Sequence, residues 1–472
     1  MSTMFLKRPI YKALLASSIL LMLALSVKAQ EYELYYSMDE MPDAGVYLPC
    51  PTAFESSGFA GDFIKWQWGR SVRNTERGMM ASDDSEFGMD CMVKVFGQVL
   101  GIEISNEATP AIWKLMYRAG KTGRSSVTKA KAKYMRTRPF TKMNEHTFGK
   151  YDDEEELRYN GSYPSGHTVF GWSVALALAE MAPEYQDAIL RRGLMYGESR
   201  VIVGAHWKSD VDAALLAASA ALAKLHTSSM YLSDLAEARK EFSKLKNLSV
   251  TVDDISLPDG KSVLPPPVSD SSYEYYGDVA DYWLARLDSD TLRELQAVVD
   301  ADLSDTALMK GFSPYAHVNL SKTSTPHIAA LLASASQTFM QETCKLGEGQ
   351  FRCSPNEKLE DTTLILVDRE VYAPTSSFPS VQAAVGWGLA LILAEIVPNH
   401  QDSILMRGFE YGRSGVIMGY HYASDVQAGR IMASYVYTQL HNNPEFLSLL
   451  WDAKLEYIVL SQWKRGYRIL KQ

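Results

Sequence analysis

Apolar positions along this chain recur mostly at helical spacing, in segments rich in Ala and Leu. The pattern predicts helices over Thr168 to Met181, Glu184 to Gly197 and Val211 to Leu225, each with a capping-type Ser or Asp nearby. Strand patterns are scarce, so the expected fold class is all-α. One apolar run stands apart. Lys7, Arg8 and Lys12 precede Ala13 to Val27, and Val27-Lys28-Ala29 resembles a small-residue cleavage site. Residues 1–29 therefore read as a secretory signal peptide, with the mature chain starting at Gln30 and a periplasmic or secreted location expected. The run is shorter than the ~20 apolar residues of a spanning helix, and no later segment demands a bilayer, so no stable membrane span is expected after signal removal.

The hydrophobic pattern is written twice. Tyr163-Pro-Ser-Gly-His167 and the following GWSVALALAEMAP return as Phe378-Pro-Ser-Val-Gln382 and GWGLALILAEIVP, a shift of 215 positions. GLMYGESRVIVGAHWKSDVDAA, from Gly193, then aligns without a gap on GFEYGRSGVIMGYHYASDVQAG, from Gly408. Upstream the shift is 216, carrying Gly61-Asp62, Arg70 and Thr75 onto Gly277-Asp278, Arg286 and Thr291. Two tandem helical-bundle domains are expected, over residues 30–248 and 249–472. The boundary falls near 246 to 258, just before the stretch DGKSVLPPPVSDSS that opens the second copy, and Pro183 and Pro398 end equivalent helices.

Composition narrows this picture. The 472 residues are 46% hydrophobic and 22% charged, enough apolar material for packed cores in two domains. A formal charge of −9 argues against a nucleic-acid partner, which needs a basic face. Export would expose Cys50, Cys91, Cys344 and Cys353 to an oxidising compartment, so disulfides are expected. Cys344 with Cys353 closes the shortest loop, but the pairing stays open.

Three clusters in the first copy carry candidate chemistry. In the first, Lys131 and Arg138 lie seven apart, about two helical turns, so that both cations could point the same way. Alone they would read as a solvated basic face. In the second, Ser165, Gly166 and His167 stand ahead of an apolar helix, where backbone N–H groups attract anions. In the third, which opens with Arg200, His206 and Asp210 are four apart, which on a helix sets a carboxylate beside one ring nitrogen and leaves the other free to attack. No carboxylates cluster at metal-ligand spacing near these motifs. The run from Asp152 to Glu156 reads as a solvated loop, and no metal or other cofactor is expected.

In order along the chain, the three clusters resemble the signature of the type-2 phosphatidic acid phosphatase and vanadium haloperoxidase superfamily. Within it, Leu48-Pro-Cys-Pro51, WGRSVRNTERG around Arg70, and GSYPSGHT resemble the bacterial class A non-specific acid phosphatases over most of residues 42 to 245. The resemblance implies a metal-independent acid phosphatase acting on small-molecule phosphate monoesters. It implies that His206 attacks phosphorus to form a phosphohistidine, that Asp210 holds its ring, and that His167 is the general acid. Lys131, Arg138 and Arg200, with Ser165 and the Gly166 amide, would bind the phosphoryl oxygens. His206 must then start neutral and His167 protonated, which predicts an acid optimum.

In the second copy Lys131 falls on Gly347, Arg138 on Ser354, Gly166 on Val381, His167 on Gln382 and Arg200 on Gly415, leaving only Ser380, His421 and Asp425. That copy is expected to be inactive, with His421 and Asp425 a structural pair, and to pack on the first as a pseudo-dimer within one chain, unless the chain forms a homo-oligomer. The alternatives are a vanadate-dependent haloperoxidase or a non-enzymatic binding protein of the same fold.

Overall fold

The Gly166–Met181 helix is apolar on every side, and all its residues are buried. A helix of that kind belongs at the centre of a bundle. Around it pack the Pro110–Ser125, Gln186–Ile202 and Lys208–Leu225 helices. The computed structural model describes residues 32–56, 58–246, 263–361 and 376–469, and among these no strand occurs. The chain is thus all-α. The expected signal peptide lies outside the described residues, as does nearly all of the expected domain boundary, which falls on 247–262.

The segments that the sequence repeat equates form helices of equal length. Gly166–Met181 and Val381–Ile396 have 16 residues, Gln186–Ile202 and Gln401–Ile417 have 17, and Lys208–Leu225 and Ala423–Leu440 have 18. Pro183 and Pro398 each open a short 3-10 turn directly after the first helix of their set, where a fixed φ and a missing N–H end the α-helical pattern. The sequence placed the second of these helices from Glu184 to Gly197. It runs on to Ile202, which carries Arg200 on its last turn.

From Tyr35 onward the chain forms one compact unit, and a single buried apolar cluster takes residues from both halves. Polar side chains reach across between the halves. Gln186 Nε2 donates to Tyr435 O at 2.9 Å and to Thr438 Oγ1 at 3.0 Å, and Trp387 Nε1 donates to Ser219 Oγ at 3.1 Å. At the centre the rings of His226 and His441 lie 3.8 Å apart. Each pairs with a buried carboxylate of its own half, His226 with Glu180 at 2.8 Å and His441 with Glu395 at 3.0 Å. Tyr231 and Tyr437 donate to the same two carboxylates, so these buried charges are both paired and hydrogen-bonded.

All four cysteines are free, which corrects the expectation of disulfides. Cys91 is buried in the core, while Cys50 Sγ accepts from Tyr134 and Cys353 Sγ donates to Glu357, so each thiol has settled into separate surroundings.

Candidate active site

The chain from Thr128 to Tyr134 is helical and stops at Met135, whose φ of 40° is left-handed. The helix expected to carry Lys131 and Arg138 on one face therefore ends between them. Arg138 is extended, with Pro139 opening the next short helix. The turn, rather than helical periodicity, brings both cations to one place. A cavity of about 160 Å³ is lined by Lys131, Arg138, Gly166, His167, Arg200 and His206, together with Arg124 and Asp152.

Each cation is anchored. Lys131 Nζ donates to Gly161 O at 2.6 Å. Arg138 spends Nε on the carbonyls of Leu157 and Asn160, both at 2.9 Å, and Nη1 on Ala205 O at 3.0 Å. Arg200 Nη2 donates to Asp152 Oδ1 at 2.7 Å, while its Nε and Nη1 are buried without a partner. Burial, reinforced by neighbouring guanidinium groups, pushes Lys131 well below the ordinary lysine range and Arg138 down to about 10. Buried positive charge in this excess is satisfied by an anion.

The two histidines are fixed in definite tautomers. Arg138 Nη1 lies 2.9 Å from His206 Nε2, and a guanidinium can only donate, so Nε2 accepts, with its lone pair directed at Arg138 on the cavity wall. Its proton is on Nδ1, which faces Asp210 Oδ2 at 3.4 Å. That distance is longer than a hydrogen bond, so the carboxylate stands beside the ring nitrogen without bonding it. His167 Nε2 donates to Asp84 O at 2.8 Å, and its ring stacks on Tyr196 at 4.4 Å, so Nδ1 is the nitrogen left for the cavity. Burial first, then the surrounding cations, lowers both histidines well below their ordinary value. This shift favours the neutral form of both rings in the empty site, whereas the sequence reading starts His167 protonated. A bound anion is what would raise it.

Ser165 is not among the cavity-lining residues. Its hydroxyl accepts from the N–H and hydroxyl of Thr168, capping the central helix, and its N–H donates to Asp210 O. Gly166 does line the cavity, and a Cβ there would come 3.2 Å from Lys131 Cε. The expectation of a solvated loop over Asp152 to Glu156 is corrected at Asp152. Its side chain is only 3% exposed and pairs with Arg200, the opposite charge compensating the burial of both. The carboxylates of Asp152, Asp153 and Glu156 line the cavity without converging. Among the described residues, Glu180, His226 and His441 form the one group of three whose ligand atoms all lie within 4.8 Å of one another.

Two residues escaped the sequence reading. Arg124, on the Pro110–Ser125 helix, adds a fourth cation to the cavity and stands over the ring of Phe87, and nothing in its local pattern marks it. Arg136 is buried beneath the site. It donates to Asp210 Oδ1 at 2.6 Å, to Asp62 Oδ2 at 2.7 Å and to Ser209 Oγ at 2.8 Å. The repeat held its signal, because the shift that loses Lys131 and Arg138 carries Arg136 onto Arg352. Arg352 makes the matching bonds, to Asp425 Oδ1, to Ser424 Oγ at 2.8 Å and to Asp278 Oδ2 at 2.7 Å.

Among the described residues, the corresponding places in the second half hold Gly347, Ser354 and Gly415 where the first half has Lys131, Arg138 and Arg200. A Cβ on Gly415, where the first half has Arg200, would meet His421 Cδ2 at 2.8 Å and Gln382 Oε1 at 3.0 Å. A side chain could not start from Gly415 without displacing them. His421 and Asp425 are not the pair expected from their spacing. His421 Nδ1 donates to Ser377 O at 2.8 Å, and Asp425 caps its helix by accepting from Tyr422 N while binding Arg352.

Residues 117–232 match the family model described as the PAP2 superfamily. The non-specific acid phosphatase of Providencia stuartii is 42% identical over 216 residues, which take in 45% of this chain and 87% of that protein. That of Salmonella typhimurium is 35% identical over 48% of this chain and 91% of its own length, and an acid phosphatase of Zymomonas mobilis is 35% identical over 45% and 80%. With its cavity of fixed cations and paired histidines, and with relatives this similar over nearly their whole lengths, the chain belongs to the class A non-specific acid phosphatases of the PAP2 superfamily.

Proposed function

We propose that this chain is an exported acid phosphatase that hydrolyses phosphate monoesters through a phosphohistidine on His206. The observation that carries the reading is the convergence of Lys131, Arg138, Arg200 and two buried histidines on one small cavity. Phosphoryl transfer demands little covalent help from the protein and much positioning and charge stabilisation. Three anchored cations supply that stabilisation where the equatorial oxygens gather charge.

In the first step the His206 Nε2 lone pair forms a bond to phosphorus as the ester P–O bond breaks. The leaving oxygen takes the proton carried by His167 Nδ1. The phosphorylated ring keeps its Nδ1 proton, and its positive charge faces Asp210, itself held by Arg136 and by the N–H of Trp207. Water then attacks phosphorus, returns a proton to His167 and releases inorganic phosphate with His206 restored. His167 is held low first by burial and then by the surrounding cations, and the incoming phosphoryl anion, by offsetting those cations, favours its charged form.

Residues 30–248 would form the catalytic domain and 249–472 an inactive one. The polar crossings and shared core support reading the pair as a pseudo-dimer in one chain. The test of the chemistry is rapid quench with radiolabelled substrate followed by alkaline denaturation. The full chain should retain covalent phosphate, His206→Ala should retain none, and turnover should persist in excess chelator. A labelled His206→Ala protein, or activity abolished by chelator, would overturn the mechanism.

A further inference from the structure

The sequence repeat sets one glutamate and one histidine of each half at equivalent positions, and the fold brings all four together. The shift of 215 carries Glu180 onto Glu395 and His226 onto His441. The glutamates lie on the Gly166–Met181 and Val381–Ile396 helices, and the histidines directly follow the Lys208–Leu225 and Ala423–Leu440 helices. All four residues are 4% exposed or less, so the cluster is shut off from bulk water. The phosphatase reading uses none of them.

The cluster sets acceptors against one another. His441 Nδ1 stands 2.9 Å from Tyr437 O, which can only accept, so that nitrogen carries a proton. A ring held by Nδ1–H on a backbone carbonyl presents its Nε2 as a metal ligand does. That Nε2 lies 3.0 Å from Glu395 Oε2, a second acceptor, so positive charge must stand between them. His226 Nε2 also faces a carboxylate, Glu180 Oε1 at 2.8 Å, and the two rings lie 3.8 Å apart where the halves meet. Protons can fill these gaps, and so can one metal dication that takes a lone pair from each ring.

The donor set fits zinc. Imidazole nitrogen and carboxylate oxygen are both zinc ligands, and four protein ligands make a closed, structural site. With bonds of ~2.0–2.1 Å, neighbouring ligand atoms of a tetrahedron stand about 3.3 Å apart. Both histidine–carboxylate pairs are near that separation, and the ligand atoms of Glu180, His226 and His441 all lie within 4.8 Å of one another, so a small movement of the rings closes the shell. Surrounding donors already orient the carboxylates. Tyr231 donates to Glu180 Oε2 at 2.9 Å and leaves Oε1 for the ion. Lys454 donates to Glu395 Oε1 at 2.7 Å, and Tyr437 donates to Oε2, which keeps a second lone pair.

We propose that Glu180, His226, Glu395 and His441 form a structural zinc site in which one ion ties the two halves of the chain together. Zn2+ takes the place of the protons on the two Nε2 atoms, so binding releases protons and tightens as pH rises. None of the four ligands lines the catalytic cavity, so the ion supports the fold and not turnover. Entry to a buried shell waits on local opening, and loading is therefore followed to its end point.

The test uses Co2+ in place of zinc, because its visible absorption is strong in a four-coordinate site and weak in a six-coordinate one. The full chain, stripped with chelator and loaded at pH 7.5, should take up about one equivalent of Co2+ with the strong spectrum, and Zn2+ should displace it. His441→Gln and Glu180→Gln should each weaken binding by on the order of 100-fold, while His146→Ala, at an exposed histidine, should bind as wild type does. Zn2+ should raise the melting temperature of the stripped chain and leave its phosphatase turnover unchanged. Wild type that takes up no Co2+, or shows only the weak spectrum, overturns the site whether or not the variants fold. So does a spectrum that survives His441→Gln. Uptake that leaves the melting temperature unmoved removes the structural role. Turnover that depends on the ion would overturn the metal-independent mechanism as well, whereas full turnover without Co2+ uptake overturns the zinc site alone.

Discussion

The two halves of this protein keep the same buried ion network and differ in what stands above it. In both, an arginine bridges two aspartates at nearly equal distances, Arg136 with Asp62 and Asp210, and Arg352 with Asp278 and Asp425. In both, the carbonyl of an aspartate that pairs with an arginine accepts from the side chain at the turn of the central helix. Asp84 O accepts from His167, and Asp300 O accepts from Gln382 at 2.8 Å. Gln382 thus reproduces the one bond of His167 that the fold needs and none of its proton chemistry. Above this layer the first half has four cations around a cavity, and at the described positions of the second half that correspond to three of them stand Gly347, Ser354 and Gly415. The scaffold is held by buried ion pairs that cannot lose one member cheaply, whereas Lys131 and Arg138 in the cavity bond backbone carbonyls rather than carboxylates.

The sharpest way to break this comparison is at His206, the proposed nucleophile. His206→Ala should lower kcat by on the order of 10⁴- to 10⁶-fold. His421→Ala, its counterpart, should leave steady-state phosphatase activity unchanged. Activity lost on changing His421 would mean that the second half takes part in turnover.

Next in size are the buried arginines. Arg136→Ala and Arg352→Ala each strand two buried carboxylates and should each cost about 3–5 kcal/mol in denaturant unfolding. Only Arg136→Ala should also lower kcat in the remaining folded protein, because only Asp210 faces a reacting ring. If Arg352→Ala lowers kcat as much, the scaffold and the chemistry are not separable.

A smaller effect is expected from pH. With both active-site histidines held below the ordinary ~6.5, the free enzyme carries His167 in its acid form only on the acid side of that value. The profile of kcat/KM should therefore fall as pH rises toward neutrality. His167→Asn should remove that limb, whereas Gln382→Ala should not move it. The sign for stability is opposite. Groups with folded values below the unfolded one contribute stability at higher pH and lose it as pH falls through the unfolded value, and saturating phosphate should restore part of it in a thermal melt.

The smallest effect should be the most even. Ser165→Ala and Ser380→Ala each remove an equivalent helix cap and should each cost about 1 kcal/mol. A much larger loss of activity at Ser165 than its stability loss explains would show that its hydroxyl reaches the phosphoryl group after all.

Much of this was readable along the chain. The apolar spacing marked the helices after His167 and around His206, and the repeat marked their partners after Gln382 and around His421. Motif order picked out six of the residues that line the cavity. What escaped were positions whose meaning depends on distant neighbours. Asp152 looks like one charge in an acidic run until Arg200, 48 residues away, turns it inward. Arg124 is an ordinary helix residue until Gly166 is packed beside it, and Cys91 is a disulfide candidate until the core closes over it.

By itself, then, the sequence determined the helices, their doubling and the residue types of a phosphoryl site. Those follow from local propensity, periodicity and the kinds of side chain the reaction needs. Only the tertiary structure decided which tautomer each histidine holds, which carboxylate sits on Arg200, and that the vacant arginine position of the second half is closed by His421 and Gln382. Those depend on burial, which sets the cost of every unpaired charge, and burial exists only once the helices have packed.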